Sequence, residues 1–203
     1  MPAPTPESLI DKVNDLDETI GLVKKQDIFD LGVGFRVVHI LIRNESGDLL
    51  IEHLSAKAPR SPLLLGSTSA GYLNFGESYA EGARRRLLEE RGTTELPLTK
   101  LGCIRMPDQG ATKFIGLFMA TVPDGTTLWF NEEDTKELRW LSCAEIDSLL
   151  AEDESTFTTT FPYVYRLYKA AMAGDSTPPT NPMPPTPPQS VIAVEIRSPE
   201  VGR

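Results

Sequence analysis

The sequence predicts an α/β domain in which a mixed β-sheet is sandwiched between α-helices. Three observations predict it: β-branched apolar runs of strand length fill the first third, one segment then switches to helical period with clear start and stop signals, and further strand-like runs precede two closing helical segments. Of 203 residues, 40% are hydrophobic and 24% charged, which is the balance of a globular chain. Of the 17 prolines, three lie in the first six residues and eight beyond Gly174, leaving six for the 167 residues from Glu7 to Ala173. The ends are therefore read apart from the core: residues 1–16 as a flexible arm, 17–173 as the domain and 174–203 as a Pro-rich tail that cannot build a core.

The elements follow in order. Thr19–Gln26 reads as a short edge strand. Phe35–Asn44 and Asp48–Leu54 are apolar, partly β-branched runs separated by Glu45-Ser46-Gly47, which is hairpin chemistry. A loop with two prolines leads to a third strand over Ser67–Leu73. From Ser78 to Arg91 the period changes, with Tyr79, Ala83, Leu87 and Leu88 on one side, Ser78 and Glu81 in capping-box spacing and Gly92 as the stop. Thr99–Met106 and Lys113–Val122 read as buried strands joined by a turn, and Lys136–Leu141 as a shorter strand. Cys143–Glu152 and Thr160–Gly174 close the domain as helices, the second with Pro162 in its first turn. Beyond Gly174 the apolar fragment at 191–198 would pair as an edge strand on a partner, giving a homodimer, or stay free.

A net charge of −9 excludes a general nucleic-acid surface, because counterion release needs clustered Lys and Arg. The acid is concentrated, with nine Asp or Glu against Lys136 and Arg139 between Glu132 and Glu154. That run is either a solvated face or part of an acidic metal site. Cys103 and Cys143 are too few for a disulfide framework and read as free core thiols. No apolar run approaches membrane-spanning length and the first residues lack a secretory pattern, so a cytoplasmic location is expected. His39 and His53, inside strands, read as hydrogen-bonded core residues. Trp129, Phe130 and Trp140 flank the acidic run and either pack in the core or stack on a substrate.

Chemistry concentrates between residues 71 and 93. Gly71, Glu77, Arg85, Leu87, Glu89, Glu90 and Gly92 fall at fixed intervals and match seven of the nine defined positions of the Nudix box, which this segment resembles. Arg86 stands where the box has its first core glutamate, and Thr93 where it ends on an aliphatic residue. At 3.6 residues per turn, positions 86, 89 and 90 share a helix face. Carboxylates there would hold a divalent cation against a diphosphate, while the loop from Gly71 to Gly76 presents phosphate oxygens to the helix N-terminus. The resemblance implies a Nudix fold, metal ligation by Glu89 and Glu90 with Mg²⁺ or Mn²⁺, catalysis by the same pair, and a scaffolding pair of Glu77 and Arg85, with Gly92 structural. Arg86 and Gly71 become substrate-binding candidates. Two carboxylates remain where the box has three, so the acidic loop, with Glu132, Glu133, Asp134 and Glu137 and with Glu133 and Glu137 above all, is the place to look for a compensating base.

A wider stretch, about Asp17 to Lys169, resembles the Nudix branch that includes the type I isopentenyl-diphosphate isomerases. In those isomerases an arginine can also occupy the position of Arg86, but their cysteine falls on Ala70 and two of their histidines on Tyr72 and Phe35. Neither thiol nor imidazole is present there, so isomerase activity is not expected. Two readings of function stand: a Nudix hydrolase cleaving a small-molecule diphosphate, in a nucleoside-diphosphate derivative or similar organic diphosphate, or a Nudix domain serving as a ligand-binding or interaction module.

Overall fold

The computed structural model describes residues 9–174. The strands are β1 (Leu9–Val13), β2 (Thr19–Lys24), β3 (Phe35–Asn44), β4 (Leu49–Leu54), β5 (Leu65–Gly66), β6 (Ser69–Tyr72), β7 (Thr99–Asp108), β8 (Ala111–Val122) and β9 (Thr135–Leu141). The helices are α1 (Ile28–Leu31), α2 (Tyr79–Arg91), α3 (Cys143–Glu152) and α4 (Phe161–Met172). Seven strands form the main sheet in the order β5-β4-β3-β8-β7, with β6 added to β3 and β9 to β4. Only β3 and β8 run parallel, in register from Phe35↔Lys113 to Asn44↔Val122.

That central pair is apolar on both faces, which is why it reads as continuous hydrophobic sequence. Phe35, Val37 and Leu41 of β3 point into one core with Ile146 of α3 and Phe161, Val164, Tyr165, Leu167 and Tyr168 of α4. Val38, Ile40 and Ile42 point into the other with Ala83 and Leu87 of α2. The expected mixed sheet between helices is therefore the observed one. Gly116 on β8 lets the start of α2 pack closely on the sheet: a Cβ there would press on the Tyr79 ring, 3.0 Å from Cγ.

Four local expectations change. First, Leu9–Val13 is not part of a flexible arm; it pairs antiparallel with β2 in a separate two-stranded sheet and buries Ile10 and Val13. The charged neighbours Asp11 and Lys12 mask its strand pattern. Second, β3 and β4 are joined by the expected tight turn but pair only at its base, Arg43↔Leu49. The Thr68 hydroxyl accepts from Ile42 N (3.0 Å) and donates to Leu50 O (2.5 Å), so it bridges the two strands where they part. Third, β7 is a half-exposed edge strand, which is why it tolerates Pro107, and Cys103 on it is exposed, not buried in the core. Its turn is only Gln109-Gly110, both at positive φ, as a two-residue hairpin requires. Fourth, the third predicted strand is present as β6, shortened to Ser69–Tyr72, and the loop ahead of it contributes a two-residue strand, β5, that pairs with β4. The Pro-rich tail and its apolar fragment lie outside the described residues. Among the described residues no helix is long and apolar enough to cross a membrane.

Candidate active site

The box segment folds as a loop-helix unit because its local signals agree. Ser78 caps α2 by accepting from Glu81 N (3.3 Å), Glu81 returns the bond to Ser78 N (2.9 Å), and Gly92 closes the helix at φ 69°. This sets residues 85, 86, 89 and 90 against β6 and the loop ahead of the helix. Arg85 Nε donates to Glu77 Oε1 (2.6 Å) and Nη2 to Glu77 Oε2 (2.8 Å), and Nη2 also reaches Tyr72 O (2.9 Å). Glu77 further accepts from Asn74 N (2.7 Å). Burial works to raise the Glu77 pKa, but the bonds from Arg85 and Asn74 N and the Arg85 charge outweigh it and hold the carboxyl below its usual 4.5. The expected scaffolding pair is thus present as a bidentate clamp on the loop.

Arg86 lies across β6. Its guanidinium donates to Ala70 O from Nε (3.2 Å) and Nη2 (2.9 Å), to Glu89 Oε2 from Nη1 (2.8 Å) and to Glu90 Oε1 from Nη2. Burial and then Arg85 push its pKa down while Glu89 pulls it up, and a guanidinium stays charged throughout. Glu90 is held from behind by Ser69 Oγ and by Ala70 N (3.2 Å), and Glu89 from the side by Arg85 Nη1 (3.1 Å). Next along α2, the buried Arg91 donates to Thr68 O (2.7 Å) and to Glu52 Oε1 (2.8 Å), and Glu52 also accepts from Thr135 Oγ1.

These groups line one side of a cleft of about 920 Å³. On a chain of net charge −9, its lining carries six cations, Lys25, Arg60, Arg85, Arg86, Arg91 and Lys113, against five carboxylates, Glu52, Glu89, Glu90, Asp108 and Asp134. The cleft therefore favours an anion that the rest of the surface would repel. Lys25 Nζ sits 4.4 Å and Arg60 Cζ 5.2 Å from the Tyr72 ring centroid, and Tyr72 stacks on Phe35 at 5.4 Å. Burial, followed by the charges of Arg86, Arg60 and Arg85, lowers the Lys25 pKa. Lys113 pairs with Asp108 (2.6 Å) and donates to Thr160 Oγ1 (3.2 Å). His39 is buried against Ser67 Oγ (2.9 Å), and burial reinforced by the Lys113 charge lowers its pKa to about 3, so it is neutral at physiological pH.

Most residues singled out from sequence meet here: Gly71, Arg85, Arg86, Glu89 and Glu90 all face the cleft, and Glu77 and Gly92 hold the unit that carries them. The acidic loop is placed differently. Glu137 pairs with His53 Nδ1 (3.1 Å), and neither it nor Glu133 is among the cleft-lining residues; Asp134 from the same loop is. Glu132 and Phe130 border a separate, more open hollow of about 490 Å³. Trp140 packs in the α2-side core, while Trp129 is exposed and lines the cleft beside Gly92. Sequence reasoning missed Glu52, Lys25, Arg60 and Asp108, which lie outside the box at distances of 11 residues or more and carry no spacing signal.

The donor set suits a hard cation. Two carboxylates and the Ala70 carbonyl, all oxygen donors, converge on the Arg86 guanidinium, and Mg²⁺ or Mn²⁺ bound by few protein oxygens keeps several waters. Among the described residues no group of three His, Cys, Asp or Glu side chains forms a metal cluster. The Arg86 guanidinium holds all three oxygens.

A loop-helix unit with a Glu77–Arg85 clamp, set on a mixed sheet, defines a Nudix-type protein. The NUDIX domain family model matches residues 34–161, and the chain belongs to this family. It is 29% identical over 153 residues to an uncharacterized Nudix hydrolase of Nostoc sp., covering 72% of this chain and 87% of that protein. It is 30% identical over 146 residues to an isopentenyl-diphosphate Delta-isomerase of Nocardia farcinica, covering 70% and 83%. The Deinococcus radiodurans protein DR0079 superposes with a TM-score of 0.67 at 26% identity, over 79% of this chain and 99% of that one.

Proposed function

We propose that this chain is a Nudix hydrolase that cleaves the diphosphate linkage of a nucleoside-diphosphate derivative or a similar organic diphosphate with Mg²⁺ or Mn²⁺. The observation that carries the reading is the convergence of Glu89, Glu90 and Ala70 O at the side of a cleft whose other walls bring Lys25, Arg60 and Lys113. The cations bind and orient the phosphates. The bonds from Ser69 and Ala70 N fix the Glu90 carboxylate, and the half-exposed Glu89, shared with Arg85, orients the attacking water. A divalent ion, when bound, supplies charge neutralisation at the phosphoryl oxygens and lowers the pKa of water. Isomerisation is disfavoured, because the stacked Phe35 and Tyr72 rings and the Ala70 methyl stand where the isomerases have their histidines and cysteine.

One observation favours a second reading, a binding module without efficient hydrolysis: Arg86 occupies the point where the carboxylates converge. Phosphate release from a panel of nucleoside-diphosphate derivatives and prenyl diphosphates, with and without Mn²⁺, separates the two. Hydrolysis predicts metal-dependent turnover that Glu90→Gln abolishes. No turnover in the wild type, with gain in Arg86→Glu, would establish the binding module instead.

A further inference from the structure

We infer that Arg86 is a displaceable internal counter-cation: it holds the metal-binding oxygens while the cleft is empty, and a diphosphate in the cleft draws it away, so that ligand and metal bind cooperatively. This rests on the hydrolase reading for its ligand class.

Three features of the geometry support it. The guanidinium contacts all three oxygen donors at once, Ala70 O, Glu89 and Glu90, so a divalent ion and Arg86 cannot share them. Two positive charges at one point repel strongly, and a site already neutralised by an arginine offers an incoming ion little electrostatic gain. The donors also do not depend on Arg86 for their placement. Glu90 keeps its bonds from Ser69 Oγ and Ala70 N, and Glu89 keeps Arg85. When Arg86 leaves, the oxygens remain arranged as a pair of carboxylates beside a carbonyl.

Arg86 also has somewhere to go. Its side chain is one-quarter exposed and lines the same cleft as Lys25 and Arg60, whose charges already crowd one another. An anion there relieves that repulsion and gives the guanidinium a bidentate partner to replace the carboxylates. The charge count then closes: a diphosphate takes over Arg86, and the freed carboxylates take the metal. Neither exchange is favourable alone, which is the origin of the coupling.

Mn²⁺ binding measured by electron paramagnetic resonance on the full chain, without turnover, tests this. Expected is free wild-type protein binding Mn²⁺ about tenfold more weakly than Arg86→Gln. Methylenediphosphonate, with its own Mn²⁺ complex subtracted, should tighten the wild type to near the variant while leaving Arg86→Gln little changed. The variant's thermal midpoint should fall in EDTA and recover with Mn²⁺, with a wild-type midpoint insensitive to Mn²⁺ alone; Arg86→Lys, still cationic but without the planar fork that spans the three acceptors, should fall between. Equal Mn²⁺ affinity of wild type and Arg86→Gln in free protein, or no Mn²⁺ binding by either variant, overturns the inference. Failure of the hydrolase reading shows separately, as absence of turnover across the substrate panel.

Discussion

Gly71 lies directly beneath the Arg86 side chain: a Cβ at residue 71 would fall on Nε and within 2.7 Å of Cζ. The first glycine of the box is thus required here by the arginine that replaces a box glutamate, not by its own backbone angles. Gly71→Ala must push the guanidinium off Ala70 O or bend β6. The expected cost is about 1–3 kcal/mol in urea unfolding. In the Arg86→Ala background the same substitution should cost little, because the clash partner is gone; an undiminished cost would show that the backbone, not Arg86, demands glycine.

The Glu77–Arg85 clamp predicts a pH dependence. Glu77 has its folded pKa depressed below 4.5, so the clamp's contribution is complete above the unfolded pKa and is lost as pH falls through the folded value. Glu77→Gln keeps the shape but gives up the charge and should destabilise by about 1–3 kcal/mol at pH 7. The difference between wild type and variant should shrink steadily below about pH 4.5, measured by denaturant midpoints at each pH.

His39 predicts a slope in a different window. Its folded pKa of about 3 lies below the usual 6.5, so below pH 6.5 the unfolded chain takes up a proton that the folded chain refuses. Stability attributable to this residue is full above 6.5 and falls toward 3, at up to about 1.4 kcal/mol per pH unit. Between pH 6.5 and 5 carboxylates titrate little, so His39→Gln should flatten the stability curve there. An unchanged slope would assign it to another group.

Arg91 and Glu52 form the most enclosed ion pair on the box helix, with the arginine side chain 1% and the glutamate 13% exposed. Arg91→Met leaves Glu52 facing the cleft wall with Thr135 as its one remaining donor among the described residues, and should cost about 3–5 kcal/mol. Adding Glu52→Gln should recover part of that loss. Full additivity of the two substitutions in a thermodynamic cycle would contradict direct coupling.

The sequence alone determined the box unit, because every part of it is local. The cap at Ser78, the stop at Gly92, the clamp across eight residues and the alignment of Arg86, Glu89 and Glu90 all follow from helical period and short loops. The buried central strands were legible for a similar reason, since a two-faced strand is apolar throughout. Strand β1 was not, because alternation with Asp11 and Lys12 in a Pro-rich, polar setting hides a five-residue apolar pattern. The split of β3 from β4 was not either, because it depends on β6 taking the β3 edge from Val37 to Ile40 and on the Thr68 hydroxyl, 26 residues from Ile42, bridging the gap.

Tertiary structure alone decided what Arg86 does. Its charge and position are written in the chain, but whether it turns outward or bridges Ala70, Glu89 and Glu90 depends on β6 passing beneath it at Gly71. The same holds for the carboxylates of the cleft. The concentration of acid in the sequence pointed to the loop of Glu132, Glu133, Asp134 and Glu137; of these the fold brings Asp134 to the cleft, with Glu52 from β4 and Asp108 from the end of β7. Helical spacing fixes neighbours within one element, and only the pairing of strands distant in sequence fixes which charges face one another across a cleft.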